Sequence, residues 1–313
     1  MPGVATSRQP KGIGFALRDA LPWKDLSGIV RAAEPAGYGA VFLPEISGRD
    51  ALVTLGMLAG ETRDLFLGTG VVPMRSRTPL VAAMGAATVH ERSGGRLILG
   101  LGTGDAGAGA LDELRETVGQ IRTLLDGETL ELGDGPQSLS LPPGSPVPIW
   151  VSALGPRAMR LAGEIADGVV LWLCNPEYIR STVVPSIAEG RAKAGKSPEG
   201  FDIVAAVPAA VTSEPEQAKS QLRSELIPYF SLPFYRKMIE LSGFGDDLAG
   251  FDSDRVDAIS DEFLARLAAI GTAEEAEAVV RSYADSGASS PCIGGISKTD
   301  FDTTLEALAG CLG

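Results

Sequence analysis

Three stretches of this chain carry residues able to do chemistry, and each follows a short apolar run. Glu45 follows Ala40-Val41-Phe42-Leu43, Gly102-Thr103-Gly104-Asp105 follows Arg96 to Leu101, and Ser152-Ala153-Leu154-Gly155-Pro156 follows Ile149-Trp150-Val151. Gly155-Pro156 places a proline at the first position of a helix, where no amide hydrogen is missed. A helix starting there directs free amides and the positive end of its dipole at whatever lies above the preceding run, a seat for a phosphate or carboxylate to which Ser152 adds a hydroxyl. The competing reading is a plain loop. Asp105 serves as a general acid or base if burial raises its pKa, or else caps a helix. Glu45 is either a ligand-binding acceptor or half of a structural ion pair, for which Arg49 is the nearby partner. Arg75, Arg77 and Arg157 stand beside these groups as candidates for an anionic ligand, or as solvent-facing charges. His90 is the only histidine, and its place near a helix end suggests a capping or surface role. One histidine excludes a histidine metal cluster and no carboxylate cluster replaces it, so no metal is expected and an organic cofactor must supply the chemistry.

The elements needed to bring these groups together alternate regularly. Gly12 to Leu17 reads as a buried strand and Trp23 to Ala36 as a helix with apolar residues at Leu26, Ile29, Val30 and Ala33. Strands follow at Ala40 to Leu43, Leu65 to Val72 and Arg96 to Leu101, separated by helices at Ala51 to Thr62 and Leu80 to Glu91. Ile149 to Leu173 is a strand-helix-strand crossover, Phe201 to Val211 a seventh strand, Glu274 to Ser286 a helix and Pro291 to Ile296 an eighth strand. Eight parallel strands alternating with helices predict an α/β fold of the (β/α)8 TIM barrel type. In such a barrel the ends of distant strands converge on one mouth: Glu45, Gly70 to Pro73, Gly102 to Asp105, Ser152 to Gly155 and Trp172 to Asn175. Residues 1–11 read as a flexible tail and residues 12–313 as one barrel domain with insertions near 127–148 and 227–266. The first insertion holds a possible hairpin. The second, rich in aromatics from Tyr229 to Phe251, either lines a substrate mouth or caps the barrel.

Composition sets the outer limits. A length of 313 residues suits one barrel, and 44% hydrophobic with 21% charged residues is ordinary for an enzyme with a full core. A net charge of −13 repels polyanions, so nucleic acid is not an expected partner. Neither a membrane span nor a signal sequence is visible. Cys174, Cys292 and Cys311 are too scattered for a disulfide framework and are expected to be reduced, which points to the cytoplasm.

Four motifs carry a resemblance to a known family, one of them with a departure. SALGPRAMRLAGEIADGVVL, SGGRLILGLGTGDAGAGAL and LGTGVVPMRSRTP resemble, in order and spacing, segments of the bacterial-luciferase-like (luciferase-like monooxygenase) superfamily. The likeness is strongest to its coenzyme F-420-dependent branch, such as methylenetetrahydromethanopterin reductases. The resemblance implies that the turn from Ser152 to Pro156 receives the coenzyme phosphate and that Gly102, Thr103 and Gly104 let the deazaflavin ring approach the backbone. It also implies a non-proline cis peptide at Gly70-Val71, bulging toward the ring. Asp105 then occupies the position of a catalytic glutamate in related sugar-phosphate dehydrogenases. AVFLPEISGRDALVTL resembles the second-strand segment, which usually ends in an acidic residue followed by histidine; here Ile46 follows Glu45, so a mechanism needing that histidine is excluded. The resemblance implies hydride transfer between coenzyme F-420 and a small organic substrate by a homodimer. The alternatives are a reduced-FMN monooxygenase and a flavin-binding protein without turnover.

Overall fold

The computed structural model of the chain describes residues 12–104, 107–132, 135–251 and 258–312. The expected tail and Asp105 lie outside the described residues. Eight parallel strands close on themselves: β1 (Gly14–Ala16), β2 (Ala40–Leu43), β3 (Phe66–Thr69), β4 (Leu97–Gly102), β5 (Ile149–Ser152), β6 (Gly168–Trp172), β7 (Asp202–Val211) and β8 (Ser290–Gly295), with β8 returning to β1. The expected (β/α)8 barrel is the fold. Sequence and structure agree on the strands to within two residues at each end except the third, expected to run to Val72 and ending at Thr69, where the chain leaves the sheet before Val72–Pro73 rejoins it.

The helices are α1 (Trp23–Ala33), α2 (Ala51–Leu58), α3 (Pro79–Arg92), α4 (Ala110–Leu125), α5 (Pro156–Ile165) and α6, whose first turn Pro176–Tyr178 passes through a π-helical segment, Ile179–Val183, into Val184–Lys193. They continue with α7 (Pro215–Ser231), α8 (Pro233–Leu241), α9 (Gly245–Gly250), α10 (Asp261–Leu267), α11 (Ala273–Asp285) and α12 (Phe301–Leu308). The first insertion holds the expected hairpin, Leu130–Leu132 against Gly135–Gln137. In the second, α7 to α10 lead to a short strand, Ala269–Gly271, which pairs with the upper half of β7.

Side chains inside the barrel follow the two-residue period of a strand. Ala40, Phe42, Phe66, Ile98, Trp150, Val204 and Cys292 form the inner cluster, with Ala16 and Val170 packed on it. Phe42 and Trp150 stack there, 5.7 Å between centroids. Glycine makes room for them: a Cβ on Gly68 would lie 2.3 Å from Phe42 Cε1, and one on Gly168 would lie 2.7 Å from the Trp150 ring.

At the opposite end from the expected site, Asp202 is buried at the start of β7 and accepts a 3.0 Å hydrogen bond from Ser289 Oγ. Burial lifts its carboxyl to about 6, with the Ser289 bond acting the other way. The folded-state pKa lies above the unfolded one, so the protonated acid is favoured by folding and stability falls as pH rises from about 4 to about 6. Asp202→Asn keeps the acceptor for Ser289 and is expected to stabilise the protein by on the order of 2–3 kcal/mol at pH 7.5 and little at pH 4. Thermal unfolding at the two pH values checks this; equal Tm values for both proteins at pH 7.5 would count against it.

Candidate active site

The strand ends do converge. A Cβ on Gly102, at the end of β4, would lie 2.6 Å from Val71 Cγ2 and 2.8 Å from Ser152 Oγ. Residues from the third, fourth and fifth strands therefore meet at one point, and only glycine fits between them. Inside the mouth the register continues past the core layer to Ala16, Gly102, Ser152, Trp172 and Gly294.

The peptide bond Gly70-Val71 is cis, as the resemblance implies. Here β3 leaves the sheet and rejoins it as Val72–Pro73, which pairs with Leu101 and Gly102. Thr69 bridges the gap: its hydroxyl donates to Gly100 O at 2.7 Å and accepts from Gly100 N at 2.8 Å. A Cβ on Gly100 would lie 2.0 Å from Thr69 O, so this close approach also requires glycine. Thr69 was not among the residues singled out from sequence, because a buried threonine in an apolar strand carries no local signal.

At the fifth strand, Gly155 is the cap of α5 and Pro156 its first residue; no side chain caps the helix. The amides of Arg157 and Ala158 thus have no acceptor within the helix. Nothing lies within 4 Å of a Cβ built on Gly155, so the seat is open. Two glycines set its position. Cβ atoms on Gly163 of α5 and Gly190 of α6 would lie 2.4 Å from Ile187 O and 2.0 Å from Arg160 O, so the two helices touch backbone to backbone. Tyr178, at the start of α6, donates to Leu154 O at 2.8 Å and anchors the turn itself. Arg157 is exposed at the rim.

Glu45 is the half of an ion pair, and its partner is Arg77 rather than Arg49. Arg77 donates to both carboxylate oxygens, at 2.5 and 2.7 Å, and to Asp50 at 2.5 Å, while Ala51 N donates to Glu45 Oε2 at 3.0 Å. Arg49 instead donates to Leu21 O. Only tertiary packing brings Arg77, on the loop before α3, over the β2 end. Arg75 likewise pairs with Glu113, which leaves Arg157 as the one of the three arginines with no ion pair recorded among the described residues. The following loop is held by Asp19, whose Oδ2 accepts from Ile46, Ser47 and Gly48 amides at 2.9 to 3.0 Å. Burial opposes ionisation of Asp19, but these backbone bonds outweigh it and hold the carboxyl below its ordinary value. Ile46 itself is 74% exposed.

His90 differs from its expected surface role. It is buried, with Nε2 2.9 Å from Ser145 Oγ, and lies in the last turn of α3 away from the strand ends. Burial lowers its pKa, so it serves as a neutral link to the first insertion. The cap of α4 is Gly109. The aromatics of the second insertion divide between both expected roles. Phe230, Phe244, Phe251 and Phe263 pack on one another as the core of the cap, whereas Tyr229 stands against Trp172 at the mouth, 5.7 Å between ring centroids.

Comparison with known proteins agrees with this geometry. The family model described as luciferase-like monooxygenase matches residues 4–290. The chain is 32% identical over 224 residues to 5,10-methylenetetrahydromethanopterin reductase of Methanolobus tindarius, covering 67% of this chain and 68% of the relative. It is 30% identical over 238 residues to an F-420-dependent glucose-6-phosphate dehydrogenase of Beutenbergia cavernae, covering 66% and 67%. The solved structure of the coenzyme F-420-dependent tetrahydromethanopterin reductase of Methanopyrus kandleri superposes with a TM-score of 0.79 over 96% of this chain and 98% of that one, at 19% identity.

Proposed function

The chain belongs to the luciferase-like monooxygenase family, a family of enzymes, and on that premise we propose that it is a coenzyme F-420-dependent oxidoreductase. It transfers hydride between the deazaflavin and a small organic substrate. The observation that carries this reading is the open, uncapped start of α5 at Gly155-Pro156, whose free amides suit an attached phosphate. Beside it, the meeting of Val71, Gly102 and Ser152 admits only glycine at the end of β4, so backbone rather than a side chain borders the seat there.

The residues present fit the coenzyme. Gly70, Val71, Gly102, Thr103 and Gly104 would face the ring. Ser152, Ala153, Leu154, Gly155 and Pro156 would hold the phosphate through free amides and the Ser152 hydroxyl. Bound there, the coenzyme supplies a two-electron hydride carrier. Glu45, held at both oxygens by Arg77, serves as a fixed wall of the site. Asp105 follows the ring-facing glycines in sequence and is proposed as an acidic group on that side. The buried, unpaired Cys174, Cys292 and Cys311 suit a cytoplasmic enzyme.

Equilibrium titrations of the purified protein with coenzyme F-420 and with FMN, followed by ring fluorescence, test the assignment. Binding of F-420 in preference to FMN is expected. Tight binding of FMN alone would favour the reduced-flavin monooxygenase, and binding of neither would remove the cofactor reading.

A homodimer is proposed with it. Val53 and Met57 on α2 and Val81 and Met84 on α3 are each at least half exposed on adjacent helices, an apolar face suited to a second copy. Met57→Glu combined with Met84→Glu is expected to convert a dimer to a monomer in sedimentation equilibrium. An unchanged mass would place the interface elsewhere.

A further inference from the structure

Of the five tyrosines in the chain, three are fastened to the backbone. Tyr38, Tyr178 and Tyr283 each donate to a carbonyl 2.8 Å away, that of Leu305, Leu154 and Leu267. The other two, Tyr229 and Tyr235, make no such bond and pack edge to face, 4.9 Å between centroids. Both lie on the second insertion, with Tyr229 against Trp172. Trp172 ends β6 in the inward register, two residues after Val170 of the inner cluster. Its indole N–H is buried and makes no hydrogen bond of normal geometry, although it faces the Tyr229 hydroxyl closely enough to favour the phenolate. A buried donor left unpaired costs ~1–3 kcal/mol, and such groups mark places where a ligand supplies the acceptor.

The charges around this corner cancel. Arg18 pairs with Glu225 at 2.7 Å and donates to Gly295 O at 2.9 Å, and Glu225 also accepts from Ser297 N. What the corner offers is therefore two neutral donors, an indole N–H and a phenol O–H, against aromatic walls. Such a site suits an uncharged carbonyl oxygen on a flat or apolar body and does not suit a phosphate. Meanwhile both Glu45 oxygens are engaged by Arg77 and the next residue is the outward-facing Ile46, so the end of the second strand is tied up in a structural contact.

We propose that Tyr229 and Trp172 form the substrate-oxygen subsite and that Tyr229 donates the proton when a neutral aldehyde or ketone is reduced. The proposal rests on the hydride-transfer reading above. The substrate carbon receives hydride from the reduced deazaflavin, which is thereby oxidised. The C=O π electrons pass to oxygen, the Tyr229 Oη–H bond breaks to give the alcohol O–H, and water returns a proton to the phenolate. Trp172 Nε1–H holds the same oxygen. Burial raises the Tyr229 pKa, partly offset by Trp172 and Arg18, so the phenol carries its proton at neutral pH.

The test uses the protein loaded with reduced F-420 and benzaldehyde as the probe, with F-420 affinity measured separately. Tyr229→Phe is expected to lower kcat at least about 100-fold while leaving F-420 affinity and Tm unchanged. Trp172→Phe is expected to raise the benzaldehyde KM about tenfold with a smaller change in kcat. Oxidation of bound F-420 by benzaldehyde in Tyr229→Phe at the wild-type rate, or loss of turnover in Asp105→Asn but not in Tyr229→Phe, overturns the proposal. Wild-type protein that binds F-420 yet reduces neither benzaldehyde nor acetophenone overturns it too, and leaves the cofactor assignment standing. Failure to bind F-420 removes both.

Discussion

Arg96→Met is expected to destabilise the protein by about 3–5 kcal/mol, lowering Tm by on the order of 10 °C. Arg96 opens the fourth strand's segment and is only 4% exposed. Its guanidinium donates to the carbonyls of Ser93, Leu65, Ala59 and Thr62 and to the Thr62 hydroxyl, at 2.6 to 3.2 Å. These acceptors lie on the turn between α2 and β3 and at the end of α3, so one side chain ties two successive strand-helix units together. Glu34 completes the clamp by accepting from the amides of Arg63, Asp64 and Leu65. Methionine fills much of the volume but leaves several buried carbonyls without donors, and each loss is costly in a site closed to water. Arg96→Lys retains the charge without the planar fork and should recover only part of the loss. Denaturant unfolding of the three proteins measures the effect; a Met variant within 1 kcal/mol of wild type would show that water replaces the donors.

Gly155→Asp is expected to weaken coenzyme F-420 binding by on the order of 100-fold, through charge rather than through misfolding. The added side chain meets nothing within 4 Å. The backbone at this position, φ −98° and ψ 163°, is the extended region that any residue adopts at a helix cap. An aspartate there can accept from the free amides of α5, so the variant should be as stable as wild type or slightly more so. It would occupy the amides proposed to hold the phosphate and set a negative charge beside it. The pair of results is diagnostic: retained Tm with weakened binding supports the anion seat, whereas retained Tm with unchanged affinity would move the phosphate elsewhere. Gly155→Ala adds bulk without charge and should bind nearly as well as wild type.

Much of the architecture was legible in the sequence because barrel strands are short, apolar and sharply bounded. Ala40–Leu43 stands between Gly39 and Pro44, Ile149–Ser152 starts after Pro148, and the crossover around Gly155-Pro156 carries its own start and stop. Helices α4, α6 and α7 were harder to anticipate. α6 opens with a three-residue turn and a π segment, and α7 carries Pro228 inside it; both interrupt the 3.6-residue pattern from which helices are recognised.

What the sequence determined by itself is the set of strands and the family likeness, and with them the list of groups proposed to face one mouth, since these depend on local period and on motifs a few residues long. The partners of those groups were decided by tertiary structure. Glu45 could not be matched to Arg77, 32 residues on, rather than to Arg49 beside it, because the match requires the loop before α3 to fold over the end of β2. His90 looked like a surface residue from its place at a helix end, and burial against Ser145 depends on where the first insertion lies. Trp172 and Tyr229, on β6 and α7, become neighbours only when the second insertion folds back over the barrel. Periodicity specifies which way a side chain points from its own element; what it meets there depends on the packing of segments far apart in the chain.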